Sequence, residues 1–170
     1  PRAMNPYQGA ALQLVDTDVV HRLRYIRQRG WTYLVYPGAT HSRFEHALGT
    51  YHLARRTLSM LRERDDTPLD EGEFAIIRAA ALLHDVGHYP FSHALEEIGV
   101  PHHERVGRPL VTTGVIADLL LERIGPDAPE RVYSLIAGDG PSPLQGPHPG
   151  PVASAKPDSP TPPPPHGRAA

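Results

Sequence analysis

Residues 74–83 read FAIIRAAALL and run directly into His84-Asp85. A helix that is apolar nearly all round belongs in an interior. The spacing predicts a core helix from about Asp70 to Val86, with Asp70 and Glu73 in capping-box spacing and Gly87 as a left-handed cap after it. Asp85 then stands at a helix C-terminus, where the macrodipole disfavours negative charge. A buried carboxylate is costly unless it is paired, so something positive must sit beside it. Two answers stay open. One is an ordinary buried His–Asp hydrogen bond. The other is a divalent metal held by both side chains, since imidazole with carboxylate suits Zn, Mn or Fe.

Helical periodicity dominates the rest of residues 16–137 and strand alternation is scarce. A first helix is expected over about Thr17–Arg29, capped by Asp16 or Thr17. Trp31–Tyr36 is aromatic and β-branched, ends at Pro37-Gly38, and reads as extended. Ser42-Arg43-Phe44-Glu45 is a capping box, so Ser42 opens the next helix. Its wheel places Phe44, Leu48, Tyr51 and Leu58 on one face and His46, Gly49, Leu53 and Met60 on the other. Such a helix is expected to lie between neighbours, with His46 pointing inward. Further helices are expected from Pro90 to about Gly99, over Glu104–Ile124 and over Pro126–Ala137. Short connections make this an all-α body of antiparallel helices.

The chain has 11 His, 20 Pro and no Cys. Thiolate chemistry, disulfides and Cys-ligated metal are therefore excluded, and a reducing compartment fits. Each single histidine is more simply a structural one, and His21, His41 and His52 are read that way. His46, His84, His88, His93 and the pair His102-His103 come from several helices, and together they suggest a site. Imidazole is both a metal ligand and a general acid near neutral pH. Arg43 follows the helix cap, where its charge is unfavourable. It is either a surface arginine or the partner of a phosphate or carboxylate.

The formal net charge is −2, which gives no bulk signal for a polyanion. Arg22, Arg24, Arg27 and Arg29 crowd the first helix without sharing one face, so nucleic acid is not an expected partner. No apolar run is long enough for a membrane span and no secretory signal is visible, so a cytoplasmic location is expected. The first residue is Pro1, which suggests that an N-terminal piece is missing. Residues 1–15 are read as a lead-in. Residues 138–170 hold 11 of the prolines. They are expected to be disordered, with polyproline character near Pro162–Pro165.

Three motifs in one order carry a resemblance. Arg22-Leu23-Arg24-Tyr25-Ile26 with Gln28, then Tyr36-Pro37-Gly38-Ala39-Thr40-His41-Ser42-Arg43-Phe44-Glu45-His46, then Leu83-His84-Asp85-Val86-Gly87-His88-Tyr89-Pro90-Phe91-Ser92-His93 resemble HD-domain phosphohydrolases. Among these the sequence is most similar to the deoxynucleoside triphosphate triphosphohydrolases, over about Asp16–Ala137. The resemblance implies an all-helical HD bundle that cleaves a dNTP to deoxynucleoside and triphosphate. It implies a divalent ion (Mn, Fe, Zn or Mg) on His46, His84 and Asp85. It implies that Arg43 and His103 contact phosphate, that Gln28 contacts the deoxyribose 3′ hydroxyl, and that His88 and His93 act around the α-phosphate. His93 would be the acid, held by Glu96, which stands where some relatives have Asp.

The pattern also departs from that family. The family completes its metal site with an aspartate in a later D-x-D-R-x-D-Y segment, and this sequence has none. Asp139 is a candidate substitute, although Gly and Pro surround it. The Arg-rich, Lys-poor composition suggests a GC-rich gene, so the tail is expected to be a shifted reading frame or a truncated product. The missing stretch would carry pocket walls and much of any homo-oligomer interface. Two alternatives to the dNTP reading stay open: an HD phosphohydrolase acting on another phosphoester, and an inactive fragment that binds nucleotide or a protein.

Overall fold

The computed structural model describes residues 6–64 and 68–138. Seven α-helices appear among the described residues: α1 (Pro6–Val15), α2 (Asp18–His21), α3 (Arg43–Glu63), α4 (Glu71–Leu83), α5 (His103–Thr112), α6 (Gly114–Arg123) and α7 (Ala128–Ala137). Three 3-10 segments, Arg22–Tyr25, Gly30–Leu34 and Ser92–Ile98, carry the connections. The all-α expectation holds.

Helix α4 is the centre. Phe74, Ala75, Ile76, Ala79, Ala80, Leu82 and Leu83 are all buried along it, and α1, α3 and α7 pack around it. Leu14, Val20, Leu23, Phe44, Val86, Val111, Ile116, Leu120 and Val132 complete one core. Asp70 caps α4 by accepting from the Glu73 amide at 2.8 Å. Ser42 and Glu45 close the predicted box on α3: the Ser42 amide donates to Glu45 at 2.6 Å, and the Glu45 amide donates to Ser42 Oγ at 3.3 Å. These two caps satisfy orphan amides and fix where the two site-bearing helices begin.

Several expected elements differ. Residues 6–15 are helical: Leu14 is buried and α1 packs on α4 and α6. The expected helix over Thr17–Arg29 stops after one turn and tightens into a 3-10 segment. Ile26 is extended, and its carbonyl accepts from the Arg43 amide at 2.8 Å. That pairing with the strand-like lead into α3 competes with continued helix. Trp31–Tyr36 is not extended, because Gly30–Leu34 forms a 3-10 turn. The segment after Pro90 is also 3-10, entered through Phe91 and Ser92 at φ 70° and 60°. The expected helix over Glu104–Ile124 breaks between α5 and α6, where Thr113 is extended and Gly114 sits at φ 66°. On α3 only the Phe44–Leu58 face is covered. Leu53 and Met60 are 63% and 44% exposed.

Gly87 is not the left-handed cap that the sequence suggests. A Cβ there would stand 2.0 Å from the His103 carbonyl oxygen and 2.5 Å from the Gly107 amide nitrogen. The turn after α4 therefore touches the first turns of α5 backbone to backbone, a contact only glycine permits. This approach carries His103 to the His84-Asp85 turn.

Candidate active site

The site lies where α4 ends. His84 caps the helix and its Nδ1 lies 3.0 Å from the Ala81 carbonyl. A carbonyl only accepts, so Nδ1 carries the proton and the Nε2 lone pair faces outward. His46, one turn into α3, brings its own Nε2 to 3.2 Å from that atom. Asp85 completes the group, with Oδ1 3.4 Å from His84 Nε2 and Oδ2 3.8 Å from His46 Nε2. Donors about 2.1 Å from a common ion, at tetrahedral or octahedral angles, stand about 3.0–3.4 Å apart. The nitrogens are already at that spacing, and the carboxylate is within a small adjustment of it. His46, His84 and Asp85 thus fit a divalent metal as three ligands, and the Ala81 carbonyl supplies the outer contact that ligating imidazoles usually have.

Asp85 is buried at 3% exposure. Its Oδ2 accepts from Arg43 Nη1 at 2.6 Å, and its Oδ1 lies 3.3 Å from His88 Nε2. Burial pushes its acidity down, but the His88 hydrogen bond and the charges of His84 and Arg43 outweigh burial and hold it ionised below the usual carboxylate range. The positive neighbour that the sequence demands is therefore a hydrogen-bonded arginine as well as histidine. Arg43 is buried, which rules out the surface reading. Its second nitrogen donates to Ser92 Oγ, and Ser92 Oγ donates to the Gln28 carbonyl at 3.0 Å.

His88 links this group to a second one. It is 1% exposed, its ring stacks on His103 at 3.7 Å, and His93 stands edge-on at 4.7 Å. Burial drives its pKa down to about 4 against the opposing pull of the Asp85 hydrogen bond. Glu96 holds the cluster together. Its oxygens lie 3.0 Å from His93 Nδ1, 2.7 Å from His103 Nδ1 and 3.3 Å from His102 Nε2. Burial raises the Glu96 pKa, but the hydrogen bonds from His93 and His103 outweigh burial and bring it to about 2. With Nδ1 turned to Glu96, His93 leaves Nε2 free, and the ring is 56% exposed.

The structure brings His46, His84, Asp85, Arg43, His88, His93, Glu96 and His103 into one connected set. Gln28 arrives through its backbone: its carbonyl accepts from Ser92 and its amide donates to the His41 carbonyl at 3.2 Å. Asp139 lies outside the described residues. Two participants, Ser92 and Arg22, escape the sequence reading, and a third, His102, is named there without a partner. Ser92 ties two motifs together, His102 reaches Glu96, and Arg22 donates to the Val86 and His88 carbonyls at 2.6 and 2.9 Å, pinning the turn. The only sequence signals for them are a serine between two motif histidines, a doubled histidine, and the arginine that opens the first motif.

Beside the site, Trp31 stacks on Phe91 at 4.8 Å. With Tyr25, Arg27 and Tyr33 they line a groove of about 140 Å³. No helix among the described residues is long and apolar enough to cross a membrane.

Comparison with known proteins agrees with this geometry. The family model of the HD domain matches residues 43–138. The uncharacterized protein YwfO of Bacillus subtilis is 39% identical over 125 residues, which are 73% of this chain and 28% of that protein. The deoxynucleoside triphosphate triphosphohydrolase SAMHD1 of Bos taurus is 42% identical over 91 residues, 53% of this chain and 15% of that one. A solved phosphohydrolase of Bacteroides thetaiotaomicron superposes with a TM-score of 0.64 at 29% identity, covering 83% of this chain and 32% of its own. The chain thus spans about a third or less of each of these relatives. With the His46–His84-Asp85 convergence and the helical core around α4, these matches establish that the chain belongs to the HD domain family, within a superfamily of metal-dependent phosphohydrolases.

Proposed function

We propose that this chain carries the catalytic half-site of a dNTP triphosphohydrolase: dNTP and water give deoxynucleoside and inorganic triphosphate. The observation that carries the reading is the pairing of two poles through Asp85 and His88. One pole, His46, His84 and Asp85, is built for a divalent ion. The other, His93 on Glu96, is built for proton transfer. Similarity to SAMHD1 over the segment that holds both poles supports a nucleotide substrate.

When bound, the metal supplies Lewis-acid polarisation of phosphate oxygen and water. The protein supplies placement and charge. His84 is locked in one tautomer by Ala81, and Asp85 is kept ionised, so both are ready as ligands. Arg43 keeps a fixed positive charge beside the carboxylate, where charge builds on the equatorial oxygens during phosphoryl transfer. His103 and the backbone around Gln28 line the phosphate and sugar sides. His93 presents Nε2 to the 5′ oxygen. As the bond from the α-phosphorus to that oxygen breaks, the water oxygen bonds to phosphorus and loses a proton to solvent, while His93 gives its proton to the leaving alkoxide. Glu96 holds the ring in place through Nδ1.

The test is triphosphate release from each dNTP with Mn²⁺ or Mg²⁺, beside Asp85→Ala. Release by the wild type that falls at least about 100-fold in the variant agrees with the reading. Orthophosphate from a nucleoside monophosphate instead, lost in the same variant, would move the substrate to another phosphoester. Metal binding without hydrolysis of either would mark a nucleotide-binding piece whose remaining ligand lies elsewhere.

A further inference from the structure

Two residues other than glycine stand in the left-handed region among the described residues, and they are neighbours: Phe91 at φ 70° and Ser92 at φ 60°. A bulky aromatic there is an outlier, and a strained backbone persists only where its surroundings hold it. Here the holder is the loop after Ile26. Trp31 lies flat on the Phe91 ring, with centroids 4.8 Å apart and planes 10° apart. The other neighbour of Trp31 is Tyr33 at 6.5 Å, and the Arg27 guanidinium sits over Tyr33 at 4.3 Å. Gly30 takes φ 50°, and a Cβ on it would stand 3.0 Å from the Phe91 carbonyl oxygen. The Ser92 hydroxyl closes the clamp by donating to the Gln28 carbonyl at 3.0 Å.

What this strained turn delivers is one oxygen. Ser92 is buried. Its proton is committed to Gln28, so its lone pairs are left for Arg43, whose Nη2 donates to them. Arg43 is buried too, with Nη1 on Asp85 Oδ2 and Nε without a hydrogen-bond partner among the described residues. A guanidinium held by Asp85 alone could pivot about that one bond. The second bond, to Ser92, fixes its plane. We propose that Ser92 is a positioning residue: it sets the Arg43 guanidinium beside Asp85, and the left-handed turn brings the hydroxyl to that place. Each alternative side chain fails one requirement. Alanine offers no oxygen, threonine is β-branched where φ is positive, and glycine suits the backbone but has no hydroxyl. The kinetic consequence rests on the triphosphohydrolase reading. If Arg43 supplies charge at phosphorus, a guanidinium that pivots lowers kcat more than it raises KM.

The experiment compares Ser92→Ala and Ser92→Gly in the complete 170-residue chain. Glycine relieves the positive φ, so Ser92→Gly should unfold at higher urea than Ser92→Ala. Both lack the oxygen, so both should lose the same function. Guanidinium ¹⁵N NMR, with the Arg43 signals assigned by their absence in Arg43→Lys, should show separate, slowly exchanging Nη protons in wild type and averaged ones in both variants. In both, kcat for triphosphate release should fall about 10- to 100-fold with KM within about threefold. Trp31 is the single tryptophan, and its emission should stay as in wild type because the turn itself remains. Arg43 signals unchanged in both variants would overturn the proposal. So would a kcat that recovers in Ser92→Gly together with stability, or a shift of Trp31 emission in step with the loss, since either makes the serine only a structural part of the turn. A wild type that releases no triphosphate would remove the reading of the reaction, and the Arg43 signals would still decide the positioning role.

Discussion

His88 is the residue on which both halves of the site depend, and its environment sets an acid limit on the fold. In the folded chain burial holds its pKa near 4, while an unperturbed imidazole titrates near 6.5. Between those values the unfolded chain takes a proton that the folded chain refuses, so stability rises with pH across this window. His88 therefore costs nothing above about pH 6.5 and progressively more as pH falls toward 4. In chelator-treated protein the urea midpoint should be lower at pH 5 than at pH 7. The drop should shrink in His88→Gln, which has no proton to take up. An equal drop in both proteins would assign the acid sensitivity to other groups. Much of this residue's importance was visible in sequence as a spacing, His84-Asp85 followed by His88 and His93. Its stacking on His103 was not, because that contact depends on a backbone approach between two elements.

At the scale of elements, that approach is made by Gly87 and Gly107, and the two glycines are not equivalent. A Cβ on Gly87 would overlap the His103 carbonyl and the Gly107 backbone. A Cβ on Gly107 would meet the Gly87 backbone at 3.6–3.8 Å, which is ordinary contact. Gly87→Ala should cost about 3 kcal/mol or more by forcing α5 away. Gly107→Ala should be neutral or stabilising by up to about 1 kcal/mol, since alanine suits a helix interior. Urea unfolding of the two variants checks this, and equal effects would mean that the contact does not hold in solution. The sequence marked Gly87 as special for a local reason, a left-handed cap, whereas the true reason is long-range. The caps of α3 and α4 were legible because they are local: the donor and acceptor lie three residues apart. The break at Gly114 and the 3-10 turns were not. The 3-10 turns go with contacts to distant segments, such as the Ile26 carbonyl to the Arg43 amide and Trp31 on Phe91, and the break goes with Gly114 at φ 66°. Asn5-Pro6 is a start signal for α1 in the sequence, a capping residue before a first-turn proline. The segment is helical because Leu14 and Ala10 find the core.

For the whole molecule, the all-α class and the meeting of His46 with His84-Asp85 were legible because a nearly all-apolar helix must be central and must deliver whatever ends it. What stayed hidden was the pairing of Asp85 with Arg43, read only as an arginine in search of an anion. That anion is a side chain of the same protein. The α3 face with Leu53 and Met60, expected to be covered, is open among the described residues, and the chain matches only about a third or less of its relatives. The centre at the end of α4 is nonetheless assembled from residues within the matched HD segment. The most direct measurement is therefore anomalous diffraction at the Mn absorption edge from crystals of this chain grown with Mn²⁺. The account predicts a peak bonded to His46 Nε2, His84 Nε2 and an Asp85 oxygen, absent in crystals of Asp85→Ala. Well-ordered crystals at saturating Mn²⁺ with no peak there, and Arg43 still closing Asp85, would contradict it.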